Sequence, residues 1–296
     1  MKNKPLVSII MNCHNGEKFL KDSIQSVISQ KYKKWELIFW DNKSTDGSAK
    51  ILKSFKDKRI RYYKSKKKTV LYQARNLALA KTKGKFIAFL DTDDTWCKDK
   101  LSLQIPKFNN DSVGLVYSNF FKLNNNGKKK LAFKNKLPFG KVTHLIIKNY
   151  QVGILTVVLR KKFLKIKKLF DFKYDLLADF DFILNFSKKY NFASIERPLA
   201  CYRIHDNQLQ KVKMISQAKQ FCLWYKKKNI EKKFKNYDLS QIVRKYEYYD
   251  IIKNIEQSKI KTLMTLYRKF SIKNFFKVIS ILIIPKKILF RFIENV

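Results

Sequence analysis

Cysteine, glycine, proline and acidic residues are all scarce in this chain, and each scarcity narrows what the chain can be. The four cysteines among 296 residues, Cys13, Cys97, Cys201 and Cys222, are scattered and form no CxxC pair. That spacing argues against a zinc site or a disulfide framework, and free thiols point to a reducing, cytoplasmic compartment. Only seven glycines and five prolines occur, and no glycine follows Gly153. There is no low-complexity linker and no internal repeat, and the punctuation-poor stretch from Lys211 onward reads as long helices with lysine-rich faces. The start, MKNKPLVSII, lacks the long apolar region of a signal peptide. Acids number 23 against 65 Lys and Arg, for a net charge of +42.

The positive charge is not confined to a tail. Residues 1–206 carry 44 basic and 17 acidic side chains (+27), and the remainder carries 21 and 6 (+15). A surface of this kind favours anionic partners such as phosphate substrates or acidic lipids. No helix-turn-helix, zinc-finger or RNP-type motif accompanies it, so no nucleic-acid partner is expected.

The first ninety residues alternate apolar runs of strand length with segments of helical period. Leu6–Met11, Trp35–Trp40, Arg59–Tyr63 and Phe86–Leu90 read as strands. Helices are expected over Glu17–Gln30, from a Ser44 or Thr45 cap to Phe55, and over Val70–Lys83 with Gly84 as a left-handed stop. Such alternation argues βαβ units and a parallel sheet. Further on, Val113–Phe121, Leu155–Leu159, Ala193–Ile195 and Leu199–Tyr202 read as strands, and Asp179–Tyr190 as a helix.

Scarce acids cluster where the Phe86–Leu90 strand ends, in Asp91, Asp93 and Asp94. Carboxylates this close repel one another unless a positive group stands among them, and oxygen-rich sites suit Mg²⁺ or Mn²⁺ together with substrate phosphates. Ligands of open α/β sheets bind at the carboxyl ends of strands. The same acids also suit a polar loop in which Asp93 or Asp94 caps the next helix.

In order, the segments PLVSIIMNCHNGEKFL, WELIFWDNKSTDGS, ARNLALAKTKGKFIAFLDTDDTW, LADFDFILNF and PLACYRIHDNQ resemble the family 2 glycosyltransferases over roughly residues 5 to 208. The resemblance implies an α/β fold of the GT-A type, a Rossmann-like, mostly parallel sheet flanked by helices. Residues 1–208 would form it, with 1–105 as the nucleotide-sugar-binding half and 106–208 as the acceptor-binding half. Residues 209–296 would be a basic helical extension.

It also implies roles for individual residues. Cys13, His14, Asn15 and Glu17 would line the nucleotide pocket, with Asp41 accepting a hydrogen bond from the base and Arg75 approaching donor or base. Asp91, Thr92 and Asp93 would form a DxD motif handling the ribose and a metal-bound diphosphate. Asp93, with Asp94 and His205, would serve Mn²⁺ or Mg²⁺. Asp179 matches the catalytic base. The sequence departs from the family pattern in three places. The first turn carries Asn12, Cys13 and His14 before Asn15 in place of Pro-x-Tyr, so the base-side contacts differ. Val70 and Leu71 stand where a glycine is usual. Ala178 replaces the accessory glutamate, leaving Asp179 as the candidate base with Asp181 second to it.

The reading is an inverting, metal-dependent glycosyltransferase acting in surface polysaccharide or lipopolysaccharide synthesis. A nucleoside-diphosphate sugar, a UDP-sugar foremost, would be the donor, and a saccharide or lipid-linked molecule the acceptor. A sugar nucleotidyltransferase and a non-enzymatic basic membrane- or nucleic-acid-binding protein are the alternatives. Residues 270–296 place apolar patches beside Lys286-Lys287, with Pro285 as a kink. The apolar stretch from Phe275 to Ile284 is far shorter than the about 20 residues that span a bilayer. It suits a helix lying on an anionic membrane, peripheral to the inner face, or one packed on the catalytic domain or on a second subunit of a homo-oligomer.

Overall fold

Continuous apolar runs specify strands covered on both faces, and the three longest in the first ninety residues become the centre of the sheet. Every residue of β1 (Val7–Cys13), β2 (Trp35–Asp41) and β4 (Phe86–Phe89) is buried. A computed structural model describes residues 4–124, 126–205 and 214–254 of the chain. With β3 (Ile60–Lys64) these strands form a parallel array in the order β3-β2-β1-β4. Helices α1 (Glu17–Ile28), α2 (Ser48–Ser54) and α3 (Leu71–Leu79) connect them.

Beyond β4 the sheet becomes mixed. β8 (Val158–Arg160) runs antiparallel between β4 and β6 (Val113–Leu123). β6 pairs in parallel with β9 (Asn191–Arg203), which carries the short antiparallel β5 (Thr95–Trp96) on its far side, and β7 (Lys129–Leu131) pairs with β6. Helices α4 (Lys100–Gln104), α5 (Thr143–Lys148) and α6 (Ala178–Ser187) complete this part.

Three expectations change in detail. The two short strands expected at 193–195 and 199–202 are one strand, β9, whose register slips where Asn119 pairs with Pro198, a residue without an N–H for the ladder. Ile154–Thr156 forms a 3-10 turn before β8, so only the end of the expected strand is extended. Gly84 is not a left-handed helix stop, because α3 already ends at Leu79 and Gly84 has no positive φ. Its lack of a side chain matters for another reason: a Cβ there would lie 2.6 Å from the Ser8 backbone nitrogen and 2.7 Å from Ser8 Oγ.

That close approach builds a buried polar knot at the amino ends of the strands. Ser8 Oγ donates to Glu36 Oε1 at 2.6 Å and accepts from Gly84 N at 2.8 Å. Lys83 N donates to Glu36 Oε1 at 2.7 Å, and Arg61 Nη1 pairs with Glu36 Oε2 at 3.0 Å. Burial pushes the Glu36 carboxyl up, but the bonds from Ser8, Lys83 and Arg61 outweigh it and hold the group below its usual range.

The chain divides into two compact units, Met1–Val212 with Asn236–Asp238, and Lys213–Lys235 with Leu239–Val296. In the second unit, α7 (Met214–Lys227), α8 (Ile230–Lys233) and α9 (Ser240–Asn254) are helical, as the sparse glycine and proline predict. Phe221 of α7 meets Tyr249 of α9 edge-on at 5.2 Å, and Tyr225 stacks on Tyr246 at 4.3 Å. Among the described residues no helix is long and apolar enough to cross a membrane. The amphipathic tail expected at residues 270–296 lies outside the described residues.

Glu36 supplies the first test. A carboxylate whose folded-state pKa is depressed contributes stability above its unfolded pKa and loses it as pH falls through the folded value. Glu36→Gln should therefore lower the unfolding free energy by about 1–3 kcal/mol near neutral pH, by leaving buried partners imperfectly paired. The gap between wild type and variant should close on acidification into the carboxylate range, read by urea unfolding at a series of pH values.

Candidate active site

The carboxyl ends of β1, β2 and β4 come together at one edge of the sheet. Cys13 pairs in register with Asp41, and Leu90 N donates to Ile10 O at 3.0 Å just before Asp91. Strand ends in a parallel array all leave polar turns on the same side, which is why this edge collects the candidate residues.

The turn after β1 and the turn after β2 are clipped to each other. Asn15, in the left-handed region at φ 56°, donates from its backbone to Ser44 Oγ at 3.1 Å and accepts from Thr45 N at 2.8 Å. Glu17 Oε2 accepts from Gly47 N at 2.6 Å. His14 is exposed, while the Cys13 thiol is buried, which raises its pKa. Asp41 is buried with both oxygens occupied, Oδ1 by Ser44 N at 2.7 Å and Oδ2 by the Tyr62 hydroxyl at 2.8 Å. Asn15 and Glu17 thus tie loops together, and Tyr62, which the sequence reading did not single out, anchors Asp41.

The DTDD loop is held from three sides. Ser23 of α1, fully buried, donates to the carbonyls of Thr92 and Asp94 at 2.7 and 2.6 Å. Arg203 at the end of β9 donates from its backbone N to Asp94 Oδ1 at 3.0 Å and from Nε to the Asp93 carbonyl at 3.1 Å. Gly16 lets the first turn close over the loop, since a Cβ there would lie 2.8 Å from Thr92 Oγ1. Neither Asp93 nor Asp94 caps a helix, because α4 begins only at Lys100.

The acids of the loop have different fates. Asp91 receives two contacts from Arg75 Nη2, at 2.6 and 2.8 Å. Asp93 Oδ2 lies 3.0 Å from His205 Nε2. Burial first, then the neighbouring Asp91, raises the Asp93 carboxyl, and His205 opposes the rise. Asp94 is buried against the Arg203 backbone, and burial followed by the charges of Asp93 and Asp91 pushes it well above the usual carboxylate range. Among the described residues no three acids, histidines or cysteines form a ready metal cage. The 3.0 Å between Asp93 and His205 nevertheless fits two adjacent ligands of one ion, because cis ligands at about 2.1 Å from an octahedral centre stand about 3 Å apart. Mg²⁺ commonly takes one or two protein ligands and completes its shell with phosphate and water oxygens, so this pair fits such an ion and Asp94 is turned to a structural task.

Arg75 joins the two halves of the unit. It is 2% exposed, and Tyr72, one turn earlier on α3, lies 4.5 Å beneath its guanidinium. Burial works against the guanidinium charge, but Asp91, Tyr72 and Asp179 more than restore it and raise the pKa. Asp179 lies in the first turn of α6 and is not its N-cap; its Oδ1 accepts from Phe180 N at 2.8 Å. Burial raises its carboxyl, and Arg75, Phe180 N and the Tyr72 hydroxyl pull it back. Asp181 is buried and accepts from Asn185 Nδ2 at 2.9 Å, a bond within its own helix.

What brings Asp179 to Arg75 is a set of contacts 94 to 103 residues apart in sequence. Asn76 Nδ2 donates to the Phe170 carbonyl at 2.7 Å and Asn76 Oδ1 accepts from Phe170 N at 3.0 Å. Asp175 Oδ1 accepts from Tyr72 N at 2.8 Å, capping α3 from outside the helix. Lys66, Lys67 and Lys68 stay exposed. A cavity of about 360 Å³ lined by Leu137, Pro138, Phe139, Leu145, Asn149 and Gln151, with Lys136 and Lys148, contains none of the expected site residues.

Comparisons with known proteins place the chain in a family and a fold. Residues 8–165 match the model of glycosyl transferase family 2. An Escherichia coli enzyme, UDP-Glc:alpha-D-GlcNAc-diphosphoundecaprenol beta-1,3-glucosyltransferase WfgD, is 34% identical over 207 residues, covering 69% of this chain and 79% of its own. Among solved structures, Staphylococcus aureus TarS in complex with UDP-GlcNAc superposes with a TM-score of 0.58 at 17% identity, covering 90% of this chain and 76% of that one. The mannosyltransferase PcManGT of Pyrobaculum calidifontis, in complex with GDP-Man and Mn²⁺, gives a TM-score of 0.60 at 12% identity, covering 94% and 79%. The chain belongs to glycosyl transferase family 2 and is a glycosyltransferase of the GT-A fold.

Proposed function

We propose that this chain transfers a sugar from a UDP-sugar to a lipid-linked saccharide by a single, inverting displacement, with Asp179 as the general base. The observation that carries the reading is that Arg75 bears on both Asp91 and Asp179, 88 residues apart, so the donor-side acids and the candidate base share one buried cation. The donor and acceptor classes follow from the relatives. WfgD uses UDP-Glc and a diphosphoundecaprenol-linked GlcNAc, and TarS holds UDP-GlcNAc. Surface polysaccharide synthesis is the setting these relatives support.

Asp179 removes the proton from the acceptor hydroxyl. The acceptor oxygen forms its bond to the anomeric carbon from the face opposite the diphosphate. The carbon–oxygen bond to the diphosphate breaks, and its electron pair leaves with the nucleoside diphosphate. No enzyme nucleophile is required, which suits a site with no candidate for one. Arg75 holds Asp91 in place and, through its charge, opposes the rise that burial imposes on the Asp179 carboxyl. Asp93 and His205 are the residues that would hold Mn²⁺ or Mg²⁺, which when bound neutralises charge on the leaving diphosphate. A lipid-linked acceptor locates the reaction at a membrane surface, and the excess of basic residues suits the inner, anionic face.

Two experiments test the reading. Asp179→Asn should lower turnover by about 10²–10⁴-fold, the usual share of a general base, while UDP binding by calorimetry stays unchanged. Because the Asp179 carboxyl is raised and must be ionised to act, wild-type turnover should fall on acidification at a pH above the ordinary aspartate value of about 3.9. An Asp179→Asn enzyme that turns over normally rules Asp179 out. The second experiment concerns the metal. Mn²⁺ should tighten UDP binding to the wild type, EDTA should reverse it, and Asp93→Asn should abolish the Mn²⁺ effect while metal-free UDP binding persists. Release of pyrophosphate in place of UDP would mark a nucleotidyltransferase instead.

A further inference from the structure

Tyr150 lies just after α5, and its hydroxyl is buried without a hydrogen-bond partner among the described residues. A buried hydroxyl left unpaired opposes folding, so a protein that keeps one has a use for it. The ring packs edge-on against Phe180 at 5.0 Å, and Phe180 directly follows Asp179. Of the charged and polar groups that act on the hydroxyl, Asp179 is the foremost, followed by Tyr72 and Tyr117. Neither tyrosine pairs with it, and the Tyr117 hydroxyl donates instead to the Pro138 carbonyl at 2.7 Å. Asp179 Oδ1 accepts from Phe180 N at 2.8 Å, and no hydrogen bond joins it to Tyr150. The Tyr150 hydroxyl is thus buried and unpaired, on a ring packed against the residue that follows the candidate base. Burial keeps the phenol protonated, so it stands as a donor.

We propose that Tyr150 contacts the acceptor, donating its hydrogen bond to the sugar oxygen next to the hydroxyl whose proton Asp179 takes. The inference rests on the transferase reading and adds a specificity-determining residue to it. An accepting carboxylate and a donating phenol would together serve two hydroxyl oxygens on neighbouring carbons of one sugar. The ligand class is thus a pyranose acceptor with an oxygen beside its attacking hydroxyl, and an acceptor lacking that oxygen is rejected because a buried donor would stay unpaired.

The test uses the full chain and Tyr150→Phe, with UDP-glucose and a panel of monosaccharide diphosphates on short lipids. In the variant, the KM for the acceptor used by the wild type should rise roughly tenfold, the share of one neutral hydrogen bond. The KM for UDP-glucose and the slow hydrolysis of UDP-glucose by water should not change. The melting temperature should hold or rise, since the variant removes an unpaired buried group. An acceptor deoxygenated beside the attacking hydroxyl should lose as much with the wild type and lose nothing further with Tyr150→Phe. An unchanged acceptor KM overturns the inference and assigns the hydroxyl to a bound water. Equal losses in transfer and hydrolysis, or a lowered melting temperature, overturn it in favour of a structural role. If the wild type transfers to no member of the panel, the transferase reading fails and takes the inference with it. Normal wild-type transfer with an indifferent variant sinks the inference alone.

Discussion

The buried guanidinium of Arg75 is the interaction on which the rest of the site depends. A charge withdrawn from water costs several kcal/mol unless it is paired, and at 2% exposure Arg75 has almost no water. Asp91 supplies the direct pair, the Tyr72 ring lies beneath, and Asp179 adds charge from the other half of the unit. Each of those groups is fixed by a different element: α3, the end of β4 and the first turn of α6. The cation is therefore a reason for the two halves of the sheet to meet in one way.

The same economy appears in the DTDD loop. Four residues follow β4, and their backbone is pinned by Ser23 of α1, by Arg203 of β9 and by the close passage of Gly16. With the backbone anchored, Asp91 meets Arg75 and Asp93 meets His205, while Asp94 accepts from the Arg203 backbone of β9. Rigid support of this kind is what orientation of two substrates demands. Burial, and then the crowding of neighbouring acids, raises the carboxyls of Asp93 and Asp94.

Stability and chemistry are kept at opposite ends of the strands. Glu36, Ser8, Arg61 and the Lys83–Gly84 backbone close the amino ends with a satisfied polar network. Near the carboxyl ends some groups are imperfectly satisfied, among them the Asn12 side chain and Arg75 Nη1. Buried polar atoms without partners are rare in folded proteins, and those of Asn12 and Arg75 are open to a ligand's hydrogen bonds.

Much of this was legible in the chain before folding. Apolar runs of strand length at Val7, Trp35 and Phe86, separated by helical periods, determined the parallel half of the sheet, because burial on both faces leaves no polar position to spare. The turns that follow those runs necessarily share one edge, so Cys13, Asp41 and Asp91 could be assigned to one site from order alone. Arg203 stood in the quoted YRIH stretch and Tyr72 one turn before Arg75, so both were within reach of a closer reading. Other features depend on contacts between distant residues, and no local pattern encodes them. Gly84 read as a helix stop because glycine favours left-handed turns, whereas packing against Ser8 is what requires it. The slip of β9 at Pro198 arises only when β6 lies beside it. The approach of Asp179 to Arg75 rests on Asn76 bonding Phe170 and Asp175 capping α3. Tyr150 carried no signal at all, since a tyrosine after a short helix looks the same whether its hydroxyl meets water or a base. Local propensity and hydrophobic period determined the elements and the edge where the site forms. Tertiary structure decided which acids pair, which stay available and which polar groups are left waiting, because those outcomes depend on the burial of charge, and burial is a property of the assembled fold.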